Sequence, residues 1–194
     1  MIITFNFLVS FALPQSGKLT RKTVEYVPAL LKIFDEILVN ALDQKARSPE
    51  TCTIMRVLID RKRGMISIMN NGGCIPVKMH KDWGEYVAQG IFGSLLTSEN
   101  FDDSQKRLTG GRNGMGAKLT NIFSKKFIVE TNDATRGKYQ KIVWKKNMEE
   151  MTDPVIKPCT GSDNVKITFY PDFKHFAMPD GIDDTIYSIF MARI

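Results

Sequence analysis

Residues 110–118 have the composition of a phosphate-binding loop. Their sequence is G-G-R-N-G-M-G-A-K, in which four glycines precede a lysine and a short segment, 119–123, that we predict to be helical. Glycines let backbone N–H groups converge on an anion, and a helix start adds further unpaired N–H groups. The spacing differs from that of a Walker A loop and of a dinucleotide-binding fingerprint. A glycine hinge without a ligand is the alternative interpretation.

Glu36, Asn40 and Asp43 lie close together on another predicted helix. At ~100° per residue they fall within about 60° of one another, on the side opposite the apolar stripe. Carboxylate and amide oxygens suit Mg²⁺, and a Glu one turn before an Asn can deprotonate a water while the Asn holds the metal. A solvated polar face is the alternative, although we expect no ion-pair support because no Lys follows at i+4.

The segment 70–77, N-N-G-G-C-I-P-V, directly follows a predicted strand. An amide at a strand end can both donate and accept hydrogen bonds, so Asn70 could recognise the Watson–Crick edge of a base. The glycines at 72 and 73 would let the base approach the backbone. A tight turn without a ligand is the alternative interpretation.

Hydrophobic periodicity predicts the elements that position these residues. A helix is predicted over 27–42, with Pro28 in its first turn, and the turn 61–64 is predicted to join two strands. Helices interleaved with mostly antiparallel strands predict a two-layer α/β sandwich. A mobile loop is predicted over 97–112. The remaining predictions are strands over 53–60, 65–69, 127–131, 139–144 and 165–170, and helices over 83–96 and 182–194.

Composition is that of a globular protein with a mild basic excess. The chain has 194 residues, a formal net charge of +6 and three separated cysteines, which we interpret as reduced thiols of an intracellular protein. A basic balance suits a nucleic-acid partner without establishing one. The apolar segment 2–13 is too short to span a bilayer, so we expect a buried strand or an atypical start of the chain, with a secretory signal as the alternative.

In order, these motifs resemble those of the GHKL (Bergerat-fold) ATPases. The amino-acid sequences of residues 34–41 (F-D-E-I-L-V-N-A), 95–98 (L-L-T-S) and 109–118 are similar to those of the ATPase domain of eukaryotic DNA topoisomerase II. The resemblance covers residues 23–194 and implies a mixed, mostly antiparallel sheet with helices on one face, incomplete at both ends.

The resemblance also implies a role for each matching residue. Glu36 would be the general base, and Asn40 would hold Mg²⁺ with Asp43 supporting it. Asn70 would contact adenine, and Thr168 would complete that pocket. The residues implied to bind ribose or phosphates are Ser98, Asn100, Arg112, Asn113, Gly114, Met115, Gly116, Ala117 and Lys118.

Several features depart from the family pattern. Cys74 stands where the family has a glycine, and Glu99 stands beside Ser98 in place of a serine. Residues 1–22 are interpreted as an atypical N-terminal segment, and the R-P-x-x-Y-I-G segment usual before the catalytic helix is not found. The chain is expected to be truncated, because the transducer and DNA-cleavage domains of the family have no counterpart in it.

The function implied is that of the ATP-binding and ATP-hydrolysing gate of a type II DNA topoisomerase, with ATP and Mg²⁺ as ligands. The resemblance further implies dimerisation of two identical chains on ATP binding, DNA as a partner through the full-length enzyme, and a location in the nucleus or another DNA-containing compartment. One alternative is a nucleotide-binding module without significant turnover. A second is another GHKL member, such as a mismatch-repair or chaperone ATPase.

Overall fold

A computed structural model describes residues 8–12, 19–94 and 115–194, and only the backbone of residues 8–12 and 19–22. The helices are α1 (Pro28–Arg47), α2 (Val87–Gly93), α3 (Gly116–Ile122) and α4 (Asp184–Arg193). The strands are β1 (Leu8–Ala12), β2 (Leu19–Thr23), β3 (Met55–Asp60), β4 (Met65–Asn71), β5 (Ser124–Asp133), β6 (Lys138–Lys145), β7 (Glu150–Met151), β8 (Val155–Pro158) and β9 (Asn164–Pro171).

A seven-stranded sheet forms one layer of the molecule. Its strands follow the order β3-β4-β9-β5-β6-β7, and β8 also pairs with β6. Every described pair is antiparallel, so the sheet is antiparallel rather than mixed. Strands β1 and β2 form a separate two-stranded sheet. The predicted α/β class is therefore confirmed, with a simpler sheet than expected.

The hydrophobic core lies between this sheet and the helices. Alternate side chains of each strand point to opposite faces, and one face carries the buried apolar residues of β4, β5, β6 and β9. We call this the inner face. Phe34 of α1 stacks on Phe190 of α4, with ring centroids 4.3 Å apart. The inner-face residues are Ile66, Ile68, Phe127, Val129, Ile142, Trp144, Ile167 and Phe169.

Helices α1 and α2 differ most from their predicted bounds. Helix α1 continues to Arg47 rather than ending at 42, because no helix-breaking residue occurs before Ser48. Helix α2 begins at Val87 rather than at 83, because the Gln89 side chain reaches back there and accepts a hydrogen bond of 2.9 Å from the Tyr86 N–H. The preceding residues form a turn in which Gly84 has φ of +66°.

Most predicted strands are confirmed with small changes in their bounds. Strand β3 begins at Met55 rather than at 53, and β4 and β5 are each longer than predicted. Strands β7 and β8 were not predicted, because each is too short to show alternation. In the segment predicted as a buried strand, β1 forms a strand over Leu8–Ala12. Among the described residues, no helix has the length and hydropathy needed to cross a membrane.

Candidate nucleotide-binding site

A cavity of about 610 Å³ lies between the helices and the inner face of the sheet. Helices α1, α2 and α3 contribute to its walls, together with β9 and the segment 73–83. Its size is within the range of small-molecule and cofactor sites. The polar side chains in its lining are Asn40, Gln44, Arg47, Asn70, Lys78, His80 and Lys118.

Helix α1 supplies one wall of this cavity. Asn40 is exposed and lines the cavity beside Ile37 and Ala41. One turn earlier, Glu36 is 20% exposed and forms an ion pair with Lys32, with Nζ 2.5 Å from Oε1. The expected lack of ion-pair support is therefore wrong, because the partner lies four residues before Glu36 rather than after it. The site face of α1 also adjoins its apolar stripe and is not opposite to it.

Helix α3 packs closely against α1 at Gly116. A Cβ at residue 116 would overlap the Glu36 carboxylate, so only glycine allows this approach. The Thr120 hydroxyl fixes the two helices together by donating a hydrogen bond of 3.0 Å to the Ile33 carbonyl. The neighbouring Lys118 lines the cavity and is 2% exposed. Burial lowers the pKa of the Lys118 ammonium group.

The turn after β4 supplies the opposite wall. Asn70 is 7% exposed, and its amide donates a hydrogen bond of 3.2 Å to the Asn71 carbonyl. Gly72 has φ of +80°, and a Cβ there would overlap the backbone of Cys52. Gly73 leaves room for the Gln44 side chain, which donates a hydrogen bond of 3.0 Å to the Gly72 carbonyl. Glycine is therefore required at residue 72 by backbone contact and positive φ, whereas a side chain at residue 73 would displace the Gln44 amide.

Two side chains of β5 fix this turn in position. The Thr131 hydroxyl accepts a hydrogen bond of 3.1 Å from the Ile75 N–H, and Asp133 accepts one of 2.9 Å from the Val77 N–H. Both side chains are fully buried. Burial acts to raise the pKa of Asp133, but the Val77 and Arg136 donors and the Arg136 charge outweigh it and lower the pKa.

Cys74 faces both the cavity and two carboxylates. The ligand atoms of Cys74, Asp133 and Asp163 lie within 4.8 Å of one another. Burial, followed by the Asp163 and Asp133 charges, raises the pKa of the Cys74 thiol to about 12. Asp163 also accepts a hydrogen bond of 2.7 Å from the Ala134 N–H. Cys74, Asp133 and Asp163 therefore form a compact polar cluster at the cavity wall, in which both carboxylates also accept hydrogen bonds from backbone N–H groups.

The structure brings most of the described site residues together. Asn40, Asn70, Gly116, Ala117 and Lys118 line the cavity. Glu36 packs against the backbone of Gly116. The predictions for Ser98, Asn100, Arg112, Asn113 and Gly114 lie outside the described residues.

Four of the predicted residues that the structure describes are not among those that line the cavity: Glu36, whose place beside Gly116 is given above, and Asp43, Met115 and Thr168. Asp43 is buried on α1, and Met115, before the start of α3, is 42% exposed. Thr168 lies on the opposite face of the sheet, where its hydroxyl is 2.9 Å from that of Ser67. Because side chains alternate along β9, Val165 and Ile167 reach the cavity instead. This placement does not support the predicted adenine contact of Thr168.

The sequence patterns did not predict several polar and aromatic residues of the cavity. Gln44 and Arg47 continue the Glu36–Asn40 side of α1 by one and two turns, so helical spacing could have found them. His80 and Trp83 stack with ring centroids 3.7 Å apart. The sequence did not indicate a turn here, since the predicted helix began at residue 83, so these two rings were not assigned to the site.

The architecture of sheet, helices and enclosed cavity is shared with a bacterial ATPase domain. The fit to the 43K ATPase domain of Thermus thermophilus gyrase B has a TM-score of 0.63 at 23% identity, and it covers 82% of this chain and 38% of that one. At this identity the likeness concerns the fold alone. Taken together with the topoisomerase II ATPase region described next, it gives the chain the α/β fold of the GHKL ATPases.

Closer relatives come from eukaryotes. DNA topoisomerase 2 of Plasmodium falciparum is 47% identical over 184 residues, which is 93% of this chain. The ATPase region of Saccharomyces cerevisiae topoisomerase II has a TM-score of 0.92 at 40% identity, and the fit covers 98% of this chain. The chain belongs to the eukaryotic type II DNA topoisomerase family and corresponds to part of its ATPase region. No family model matches the chain.

The chain spans only part of these relatives. It covers 13% of the Plasmodium protein and 50% of the yeast chain. The yeast fit covers more of this chain than residues 23–194 alone would supply, so it reaches into the first 22 residues. The predicted division of the chain at residue 22 stays a prediction.

Proposed function

We propose that this chain binds and hydrolyses ATP as the ATPase part of a type II DNA topoisomerase. One observation carries the proposal: Asn40, Asn70 and Lys118 line a single cavity, and Glu36 packs at its edge against Gly116. These residues come from three separate segments of the sequence. Their convergence provides a base-binding amide, a metal-binding amide, a cation and a general base around one ligand.

The nucleotide is proposed to lie between the two walls of the cavity. Asn70 binds adenine beside the apolar side chains of Ile75 and Ile167. The phosphates lie toward α3, where Gly116 and Ala117 present backbone and Lys118 a positive charge. From the sequence we assign further phosphate or ribose contacts to Ser98, Asn100, Arg112, Asn113 and Gly114.

Mg²⁺ fits the donor set at this end of the cavity. Asn40 offers an amide oxygen that is exposed to the cavity, and a hard cation with few protein ligands completes its shell with waters and phosphate oxygens. When bound, the ion would neutralise phosphate charge. Asp43 is proposed to support Asn40 from the next turn of α1.

Glu36 is proposed to activate the attacking water. Its carboxylate accepts a proton while the water oxygen forms a bond to the γ-phosphorus, and the bond from that phosphorus to the β,γ-bridging oxygen breaks. ADP and inorganic phosphate are the products. Lys32 keeps the Glu36 carboxylate oriented through its ion pair and remains largely exposed.

The cellular role is proposed from the relatives. ATP binding closes two copies of this chain into a dimer, and hydrolysis is coupled to passage of one DNA duplex through another in the full-length enzyme. A nuclear location follows from DNA as the substrate. A match to the ATPase region of yeast topoisomerase II supports this coupling.

Two substitutions test the assignment of roles in a full-length type II topoisomerase carrying this ATPase sequence. Glu36→Gln should lower the rate of phosphate release by about 10²–10⁴-fold and change ATP affinity little, because it removes only the base. Asn40→Ala should weaken Mg²⁺-dependent binding of a fluorescent ATP analogue, because it removes an oxygen ligand. Loss of binding in Glu36→Gln, with normal binding in Asn40→Ala, would contradict both assignments.

A second candidate is ATP binding without significant turnover by this chain alone. Phosphate release by the 194-residue chain, compared with its binding of the same analogue, separates the two candidates.

A further inference from the structure

The sheet has a second face, which points away from the helices and the cavity. We call it the outer face. It is formed by the side chains that alternate with the inner-face residues, in rows fixed by the strand register. Six cationic side chains lie on this face: Arg56, Lys126, Lys141, Lys145, Lys157 and Lys166.

Three acidic residues lie on the same face, and each already has a partner. Glu130 pairs with Lys166 at 3.0 Å and also accepts a hydrogen bond of 2.8 Å from Tyr139. Glu150 pairs with Lys146 at 2.5 Å, and Asp60 pairs with Arg63 at 3.7 Å. The outer face therefore keeps a positive excess after its ion pairs are counted.

Two of the lysines lie directly opposite each other. Lys126 of β5 and Lys145 of β6 are register partners, and like charges in this position destabilise a sheet. No ion pair involves either lysine among the described residues. Lys126 instead lies 5.7 Å from the ring centroid of Tyr170. Glu150 is the register partner of Lys145 on β7 and relieves part of this repulsion, and an anion bound beside Lys126 would relieve more of it.

The same corner of the outer face is concave. A cavity of about 380 Å³ is lined by Lys126 and Tyr170 and by the turn between β3 and β4, which supplies Arg61, Lys62 and Arg63. The cations thus extend from a flat row into a recess, which Asp180 also lines and where Arg61 pairs with Asp184 at 2.7 Å. A single small anion would contact only a few of them.

The spacing of the cations suits an extended polyanion. The row containing Lys141 and Lys166 lies four residues along the strands from the row containing Lys126 and Lys145. At about 3.3 Å per residue this is ~13 Å, which is the axial length of about four phosphates in one strand of a duplex. Lys126 and Lys145 lie one strand spacing, about 4.8 Å, apart. Lys141 and Lys166 lie two spacings, about 10 Å, apart, with Glu130 between them.

We propose that the outer face binds the phosphodiester backbone of a nucleic-acid duplex, with Lys126, Lys141 and Lys145 as its main contacts. The Arg61–Arg63 turn reaches the same backbone at the recess. Because phosphates rather than bases are contacted, binding is independent of base sequence. The proposal does not rest on the nucleotide site, which lies on the other side of the sheet.

Fluorescence anisotropy of a labelled DNA duplex tests the proposal with the 194-residue chain. The triple variant Lys126→Glu, Lys141→Glu, Lys145→Glu should bind at least ~10-fold more weakly at low salt. The slope of the logarithm of its binding constant against the logarithm of salt concentration should be smaller by about three, because three fewer phosphates are neutralised. The control variant Lys45→Glu, Lys81→Glu, Lys138→Glu makes the same change in net charge away from the outer face. It should keep most of the affinity and the salt dependence.

Three outcomes would overturn the proposal. They are no salt-dependent binding by the unsubstituted chain, equal losses in the two triple variants, and competition by poly-glutamate as strong as that by unlabelled duplex. The last would indicate an acidic protein segment as the occupant. Thermal unfolding followed by circular dichroism checks that each variant folds, and the corresponding triple Lys→Gln variant gives the milder loss expected from charge removal alone.

Discussion

The two walls of the nucleotide cavity are built in different ways. The wall of α1 and α3 carries the proposed chemistry, and its close approach depends on Gly116 and on the Thr120 hydrogen bond. The wall formed by the turn 72–77 is held from behind by the buried side chains of Thr131 and Asp133. The proposed reactive groups therefore lie close together on α1 and α3, whereas the groups that support the turn lie on β5, which is remote from the turn in sequence.

Removing the buried carboxylate of the supporting wall should have the largest effect. Asp133→Ala leaves the Val77 N–H and Arg136 without their acceptor, so the free energy of unfolding should fall by about 3–5 kcal/mol. Chemical denaturation measures this change. A loss below 1 kcal/mol would mean that the turn does not depend on this support.

The same carboxylate predicts a pH dependence. The pKa of Asp133 is lowered in the folded chain, so its contribution to stability is complete above the unfolded pKa of about 4. That contribution is lost as the pH falls through the lower folded pKa. Denaturation at several pH values should show a smaller acid loss in Asp133→Asn than in the unsubstituted chain, and equal losses would contradict the prediction.

Crowding the wall formed by α1 and α3 should have the next largest effect. Gly116→Ala places a Cβ on the Glu36 carboxylate, and the displacement of either group should lower ATP turnover by about 10²-fold. Phosphate release in a full-length type II topoisomerase carrying this sequence is the measurement. Gly161→Ala is the control, because its nearest contact is the Asn132 side chain at 3.3 Å. Similar rates in both variants would show that the contact is not required.

A matched pair of threonine substitutions compares the two faces of the sheet. Thr131→Val and Thr168→Val each remove a buried hydroxyl and should each lower the free energy of unfolding by about 1 kcal/mol. Only Thr131→Val should also weaken binding of an ATP analogue, because only Thr131 holds the cavity turn. Weaker binding in Thr168→Val instead would restore its predicted place in the adenine pocket.

The smallest effect on stability is expected at the Lys32–Glu36 ion pair. Lys32 is 67% exposed, so Lys32→Met should change the free energy of unfolding by no more than about 1 kcal/mol. Thermal unfolding measures this change. A larger loss would mean that the lysine stabilises α1 rather than only orienting Glu36.

Periodicity and motif order predicted much of this fold and site. The apolar spacing of α1 and the alternation of β9 follow from local burial, so both elements were recognisable in the sequence. Asn40, Asn70 and Lys118 were assigned to one site from their motifs, and the structure places them around one cavity. Short strands such as β7 could not be predicted, because two residues are too few to show an alternation of apolar and polar side chains.

The sequence alone determined which residue types could bind a nucleotide and in which order they occur. Tertiary structure decided which of them face the cavity. Thr168 is turned away from the cavity by the register in which β9 pairs with β4. Thr131 and Asp133 reach the turn only because the chain folds back over 56 residues. Such contacts depend on strand pairing and close packing, which no local pattern of residues encodes.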